Sequence, residues 1–164
     1  MRILAWLLLS ACAFAAQENE GPLVVEVPPG WSVEFRQDDG TFTYVLGNGQ
    51  DSELRISPKE GEVAKIPTTL AELQRGMTEK IKDSQEDSEA EVKITKGSLS
   101  GKGFKGIFAR GADPATDTLS AVFVIGDKEG LLSGTYKGTK ESWSRAVRFL
   151  LTLERKAEVG ASQP

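Results

Sequence analysis

The sequence predicts an α+β fold, a mainly antiparallel β-sheet flanked by helices. Short turns rich in Gly, Pro and Asp separate successive period-2 segments, the spacing of hairpins rather than of long crossovers. Two further segments carry apolar residues at helical spacing and need a sheet to bury them on. Leu119-Ser-Ala-Val-Phe-Val-Ile125 is nearly continuous apolar, as a central strand covered on both faces requires.

The elements follow in order. Leu23–Val27 is β-branched and stops at Pro28-Pro29-Gly30, a strand closed by a turn. Trp31-Ser-Val33-Glu-Phe35 alternates apolar and polar, the pattern of a half-buried strand. Asp38-Asp39-Gly40 supplies the positive φ of a hairpin turn into Thr41–Leu46, and Gly47-Asn48-Gly49 turns again into Ser52–Ser57. A helix is predicted from Thr69, where Thr69 and Glu72 have capping-box spacing, to about Ser84. Leu70, Leu73, Met77 and Ile81 form its apolar face. The period then returns to two: Val92 and Ile94 mark one strand, Phe104, Ile107 and Phe108 the next, with Gly101–Gly103 between them. Gly111–Asp117 reads as an exposed loop before the central strand, and Gly126–Gly130 turns that strand into Leu131–Tyr136. A last helix opens at Thr139 and runs to about Arg155, with Trp143, Ala146, Val147, Leu150 and Leu151 on its apolar face. Residues 22–155 make one domain, and 156–164 a disordered tail.

Ahead of that domain, residues 1–16 have the order of a secretory signal. Arg2 precedes the apolar run Ile3–Leu9, and Ala13-Phe14-Ala15 offers a small-residue cleavage site before polar Gln17-Glu18-Asn19-Glu20. Cleavage after Ala15 or Ala16 gives a periplasmic or secreted protein. Leu9-Ser10-Ala11-Cys12 offers an alternative, since it resembles the bacterial lipobox, whose cysteine becomes the lipidated first residue. Under that reading the protein is a membrane-anchored lipoprotein, held only through Cys12.

Composition narrows the chemistry. The chain contains no histidine, which removes the usual general base, the commonest zinc ligand and the Ser-His-Asp and Cys-His constellations. Its formal charge of −4 argues against nucleic acid as a partner, because phosphate backbones are met by basic stripes. Cys12 is the only cysteine, so no disulfide forms within the chain.

Pro28-Pro29-Gly30-Trp31 after a first strand, and Tyr136-Lys-Gly-Thr139 followed by Trp143-x-x-Ala146-x-x-Phe149-Leu150, resemble the opening turn and the closing strand and helix of PsbP-like and DcrB-like domains. The same superfamily includes the nuclear Ran-release factor and exported mycobacterial lipoproteins. The resemblance spans most of Leu23 to Glu154 and rests on packing residues. It implies a sheet between helical layers, a PsbP-like α/β/α sandwich. It also implies a role in binding or stabilising protein partners, and in some envelope relatives immunity to toxin enzymes. The family carries no catalytic motif to transfer.

Candidate motifs are few. Gly101-Lys-Gly103-Phe-Lys-Gly106 spells GxGxxG, but a dinucleotide fingerprint needs a helix after it, and Ile107-Phe-Ala-Arg-Gly111 reads as strand. A Gly-rich hairpin is the expectation. Asp113 and Asp117, with Asp38 and Asp39, are calcium-type oxygen donors without EF-hand spacing, and Glu86, Asp87, Glu89 and Glu91 read as a solvated connector. Glu53 and Glu62 are an acid pair in principle only. Lys140 and Ser142 lack the S-x-x-K order. Trp31 and Trp143 are expected in the core.

No catalytic, cofactor-binding or metal-binding residue is therefore assigned. The expected function is that of an exported, non-enzymatic protein-binding or accessory domain whose partner is another envelope or secreted protein. An envelope immunity protein neutralising a toxin enzyme is the alternative, and a carboxylate-dependent hydrolase a distant third.

Overall fold

The computed structural model describes residues 20–39, 41–66, 71–73, 75–76, 79, 93–113, 116 and 118–157. The signal with Cys12, Asp117, the Gln85–Glu91 connector, most of the first predicted helix and residues 158–164 lie outside them. Of that helix, residues 71–73, 75, 76 and 79 are helical, and Leu73 is half-buried.

The fold is α+β with a mainly antiparallel sheet. Its strands are β1 (Leu23–Val24), β2 (Ser32–Asp38), β3 (Thr41–Gly47), β4 (Glu53–Lys59), β5 (Ile94–Ser100), β6 (Lys105–Ala112), β7 (Leu119–Asp127), β8 (Gly130–Gly138) and β9 (Glu154–Arg155). Seven of them form one sheet in the order β2-β3-β4-β8-β7-β6-β5, and every neighbouring pair is antiparallel. The sheet is thus two meanders, β2-β3-β4 and β5-β6-β7-β8, joined where β4 meets β8 in the register Glu53↔Lys137 to Lys59↔Leu131.

One face of this sheet is covered by α1 (Lys140–Thr152). The Thr139 hydroxyl caps the helix, accepting from the Ser142 N–H at 3.2 Å, and the Thr139 carbonyl accepts from the Tyr136 hydroxyl at 2.8 Å. Trp143, Ala146, Phe149 and Leu150 turn inward onto Tyr44, Leu46, Leu54, Ile56, Phe123, Leu132 and Tyr136. Val147 and Leu151, expected on the inner face, are only half-buried, and Phe149 is buried instead.

β7 is buried on both faces, as its apolar run predicts: Phe123 and Ile125 face α1, while Val124 is buried on the opposite side. On that opposite side Ile94, Ala109 and Val122 form a second, smaller cluster. Toward β2–β4 the same face turns polar, with Glu34, Arg36, Glu53 and Arg55 exposed.

Two expectations need correction at the ends of the domain. The first strand is confined to Leu23–Val24 rather than Leu23–Val27, because its partner is not the large sheet but the two-residue β9, in the register Leu23↔Arg155 and Val24↔Glu154. The last helix stops at Thr152 rather than near Arg155. Leu153, buried, has extended backbone at φ −59° and ψ 135° and turns the chain into that short ladder.

Tyr44 ties the start of the domain down. Its hydroxyl accepts from the Leu23 N–H at 3.1 Å and donates to the Glu20 carbonyl at 2.9 Å. Burial pushes the Tyr44 phenol above the usual tyrosine range, an effect that the Leu23 N–H partly offsets, and burial does the same at Tyr136. The folded chain therefore holds these protons more tightly than the unfolded chain. Their contribution is complete below the ordinary tyrosine pKa of about 10 and is lost as pH rises through the raised values. Tyr44→Phe is expected to flatten the alkaline arm of a stability-versus-pH curve, and to cost about 1–2 kcal/mol at neutral pH by stripping the Leu23 N–H of its acceptor. Urea titrations at several pH values check both effects.

Candidate functional site

The Gly101–Gly106 motif spans the turn between β5 and β6 and its last two residues open β6, a strand and not a helix. Its amides are committed inside the fold. Gly101 N donates to the Phe104 carbonyl at 2.9 Å, Lys102 N to Leu151 at 2.9 Å and Gly103 N to Leu153 at 3.2 Å. A phosphate loop works by presenting such N–H groups to its ligand. Here those of Lys102 and Gly103 bind the exit of α1 instead. A Cβ at Gly103 would stand 2.7 Å from the Leu153 carbonyl oxygen and 2.9 Å from Glu154 Cα, so the glycines let backbone pass over backbone.

Beside this turn lies an open cleft of about 920 Å³, lined by residues that include Lys102, Lys105, Lys128 and Lys156. Its organised feature is an ion cluster. Arg155 Nε lies 2.7 Å from Asp127 Oδ2 and 3.2 Å from Glu129 Oε2, with its guanidinium 5.6 Å from the Phe104 ring centre. Asp127 Oδ1 accepts from the Glu129 and Gly130 amides at 3.0 and 3.1 Å, which closes the β7–β8 turn. Arg155 and Asp127 are only 19% and 13% exposed, so the cluster pins β9 to that turn.

Among the described residues, the acids singled out from the sequence are not gathered into one site. Asp113 follows β6, and its amide donates to the Thr118 carbonyl at 2.9 Å. The strand registers put it at the end of the sheet where β2 begins, whereas Asp38 and Asp39 lie where β2 ends. Glu53 opens β4 and accepts from Arg55 Nε at 2.6 Å, while Glu62 is exposed beyond the far end of that strand, before the short 3-10 turn Val63–Lys65. Among the described residues no group of three or more potential metal ligands gathers. Ser142 is buried in the first turn of α1, next to the Thr139 cap. Trp31 and Trp143 are core residues, although the Trp31 indole N–H finds no acceptor among the described residues.

A more enclosed cleft, of about 320 Å³, lies between the Val27-Pro28-Pro29 segment and the exposed face of α1. Phe149, Arg145, Arg148 and Thr152 line its helical side, and Glu26 stands at its margin. Pro28 and Pro29 have restricted φ, and the Trp31 amide closes the turn by donating to the Pro28 carbonyl at 3.0 Å, so this wall is stiff. Arg145 and Arg148 are three residues apart on one helix face. Both are exposed, and neither forms an ion pair with the described residues. Glu26 is partly neutralised by Lys102 Nζ at 3.4 Å. Two guanidinium groups, without an ion pair among the described residues, beside the surface of Val27, Pro28 and Pro29 suit a carboxylate-bearing partner with an apolar neighbour. Sequence reading overlooked these arginines because an arginine on the polar side of an amphipathic helix is ordinary. Their only signal was the i, i+3 spacing.

No protein-family model matches the chain, and the comparison with curated proteins returns no match. Among solved structures, one from Bacteroides thetaiotaomicron is similar at 17% identity and a TM-score of 0.39, over 83% of this chain. The chain spans about half the length of that protein, 46% of it.

Proposed function

We propose that this is an exported, non-enzymatic binding or accessory domain that docks a protein partner across the cleft between Pro28-Pro29 and α1. The observation that carries the reading is the pair Arg145 and Arg148, exposed and without an ion pair among the described residues, beside a stiff apolar wall. Charged groups at the edge of an apolar patch steer encounter and fix orientation, while the apolar wall supplies desolvation. The finer fold assignment, a PsbP-like sandwich with a second helical layer, belongs to the same proposal. It is supported by the apolar residues Val122 and Val124 on the sheet face away from α1. The compartment is periplasmic or extracellular, with a lipid anchor at Cys12 as the alternative to cleavage after Ala15 or Ala16. Among the described residues no helix is long and apolar enough to cross a membrane.

The test is affinity capture from the native envelope with tagged wild-type protein and with the double variant Arg145→Glu/Arg148→Glu, at low and physiological salt. The expected result is one dominant stoichiometric protein whose affinity falls about tenfold or more in the variant. Capture that ignores the charge reversal would remove the cleft from the proposal. Turnover of cell-wall or ester substrates by the purified protein would remove the non-enzymatic reading. A captured toxin whose activity the protein blocks would establish the immunity role.

A further inference from the structure

The outer edge of the large sheet at β2 carries the next step, independently of the cleft. Among the described residues no strand pairs with that edge. Natural edge strands are normally blunted by charged side chains, lysine above all, or by proline, a bulge, shortness or a covering segment. β2 carries the charges Glu34, Arg36 and Asp38 but no lysine, proline or bulge. It is seven residues long, reads Ser-Val-Glu-Phe-Arg-Gln-Asp, and pairs with β3 in unbroken register from Ser32↔Gly47 to Asp38↔Thr41. The opposite edge, β5, differs, since it carries Lys96 and Gly97 mid-strand.

The two faces of β2 carry different chemistry. Val33 and Phe35 are half-buried against the border of the core. Glu34 and Arg36 lie on the other face, joined by two hydrogen bonds of 2.7 and 2.8 Å and 58–59% exposed. An antiparallel partner must match outward-facing amides with outward-facing carbonyls, so the allowed registers differ in steps of two residues. The register in which all seven residues overlap is centred on Phe35. It sets Glu34 of each copy opposite Arg36 of the other, Val33 opposite Gln37, and Phe35 opposite Phe35. Moving the centre to Glu34 or to Arg36 puts two glutamates or two arginines face to face. Opposite charges directly across a ladder stabilise it and like charges destabilise it. Among the registers centred on Glu34, Phe35 and Arg36, the one of full overlap is therefore also the one that the charges favour, and a centre at Gln37, which sets Arg36 opposite Asp38, gives up most of the ladder.

We infer that β2 is a self-pairing edge: two copies of this chain join antiparallel through β2 about a twofold axis at Phe35, extending one sheet into the other. Such an interface is isologous, with each side supplying the same residues. One strand pair buries little surface, so the dimer is weak and concentration-dependent.

Sedimentation analysis over a wide concentration range tests the inference. Wild-type protein is expected to show a reversible monomer–dimer equilibrium, with hydrogen-exchange protection of β2 amides rising with concentration. Glu34→Arg alone or Arg36→Glu alone makes two like-charge pairs per dimer and is expected to weaken association about tenfold. An equimolar mixture of the two single variants restores complementary pairs and should form a heterodimer of wild-type strength. The double variant Glu34→Arg/Arg36→Glu keeps the pair within the strand, hence the monomer fold, and should restore the homodimer. A monomer at every concentration overturns the inference. So does self-association that the single reversals leave unchanged.

Discussion

Trp143→Ala is expected to destabilise the domain by about 4 kcal/mol, within the usual range for truncating a buried aromatic residue. The side chain is 4% exposed, and its ring lies 5.1 Å from the Tyr136 ring and 5.4 Å from that of Phe108, both tilted. Such ring pairs add roughly 0.5–1.5 kcal/mol beyond the area they bury. Position raises the cost further. Trp143 sits in the first turns of α1, and Tyr136 donates to the carbonyl of the capping residue Thr139. A cavity there loosens the helix start together with β8, where α1 makes part of its contact with the sheet. Domains of this kind hold only about 5–15 kcal/mol in total. The variant should therefore lower the denaturant midpoint strongly with little change in slope, and should lose near-ultraviolet circular dichroism. Trp143→Phe keeps a ring against Tyr136 and should recover a good part of the loss. A midpoint close to wild type in Trp143→Ala would mean that α1 does not close the core as described.

What could be read ahead of the structure follows from how local each signal is. Trp31-Ser-Val33-Glu-Phe35 and the apolar run Leu119–Ile125 declare strands because alternation and continuous burial are written within a few residues. Thr139 declares a helix start for the same reason, since its bond to Ser142 N spans three positions. The join of β4 to β8, by contrast, pairs Leu54 with Tyr136 across the whole second half of the domain. Hairpin turns predict each meander but not which edges meet. β9 is two residues long, too short for any period, so neither its pairing with β1 nor the Arg155–Asp127 ion pair that holds it was legible. The candidate site is hidden in the same way. Pro28-Pro29 reads only as a turn and Arg145–Arg148 only as the polar side of a helix, and the packing of the entry segment along α1 makes them two walls of one cleft.

Alanine substitutions in the glycine motif separate packing from ligand binding, and are expected to act through packing alone. A Cβ at Gly106 would meet the Val124 carbonyl oxygen and stand 2.6 Å from Ile125 Cα; at Gly101 it would stand 2.7 Å from Leu151 Cα. These obstacles are backbone, so no change of rotamer relieves them, and either the β6–β7 ladder or the exit of α1 must shift. Overpacking of this kind costs about 1–3 kcal/mol, and backbone obstacles place Gly101→Ala and Gly106→Ala toward the upper end. Lys102→Ala is the control. Its exposed side chain pairs with the exposed Glu26, so the expected change is within about 0.5 kcal/mol. A phosphate-binding loop predicts a different pattern, in which nucleotide stabilises the wild-type protein by mass action and the glycine variants lose that stabilisation while keeping their intrinsic stability. The amides of Gly101, Lys102 and Gly103, which such a loop would present to phosphate, are already bound within the fold. Thermal unfolding with and without nucleotide should accordingly give superimposable curves for the wild type and lowered, equally nucleotide-independent curves for both glycine variants. An upward shift with nucleotide in the wild type alone would return the motif to the list of ligand sites.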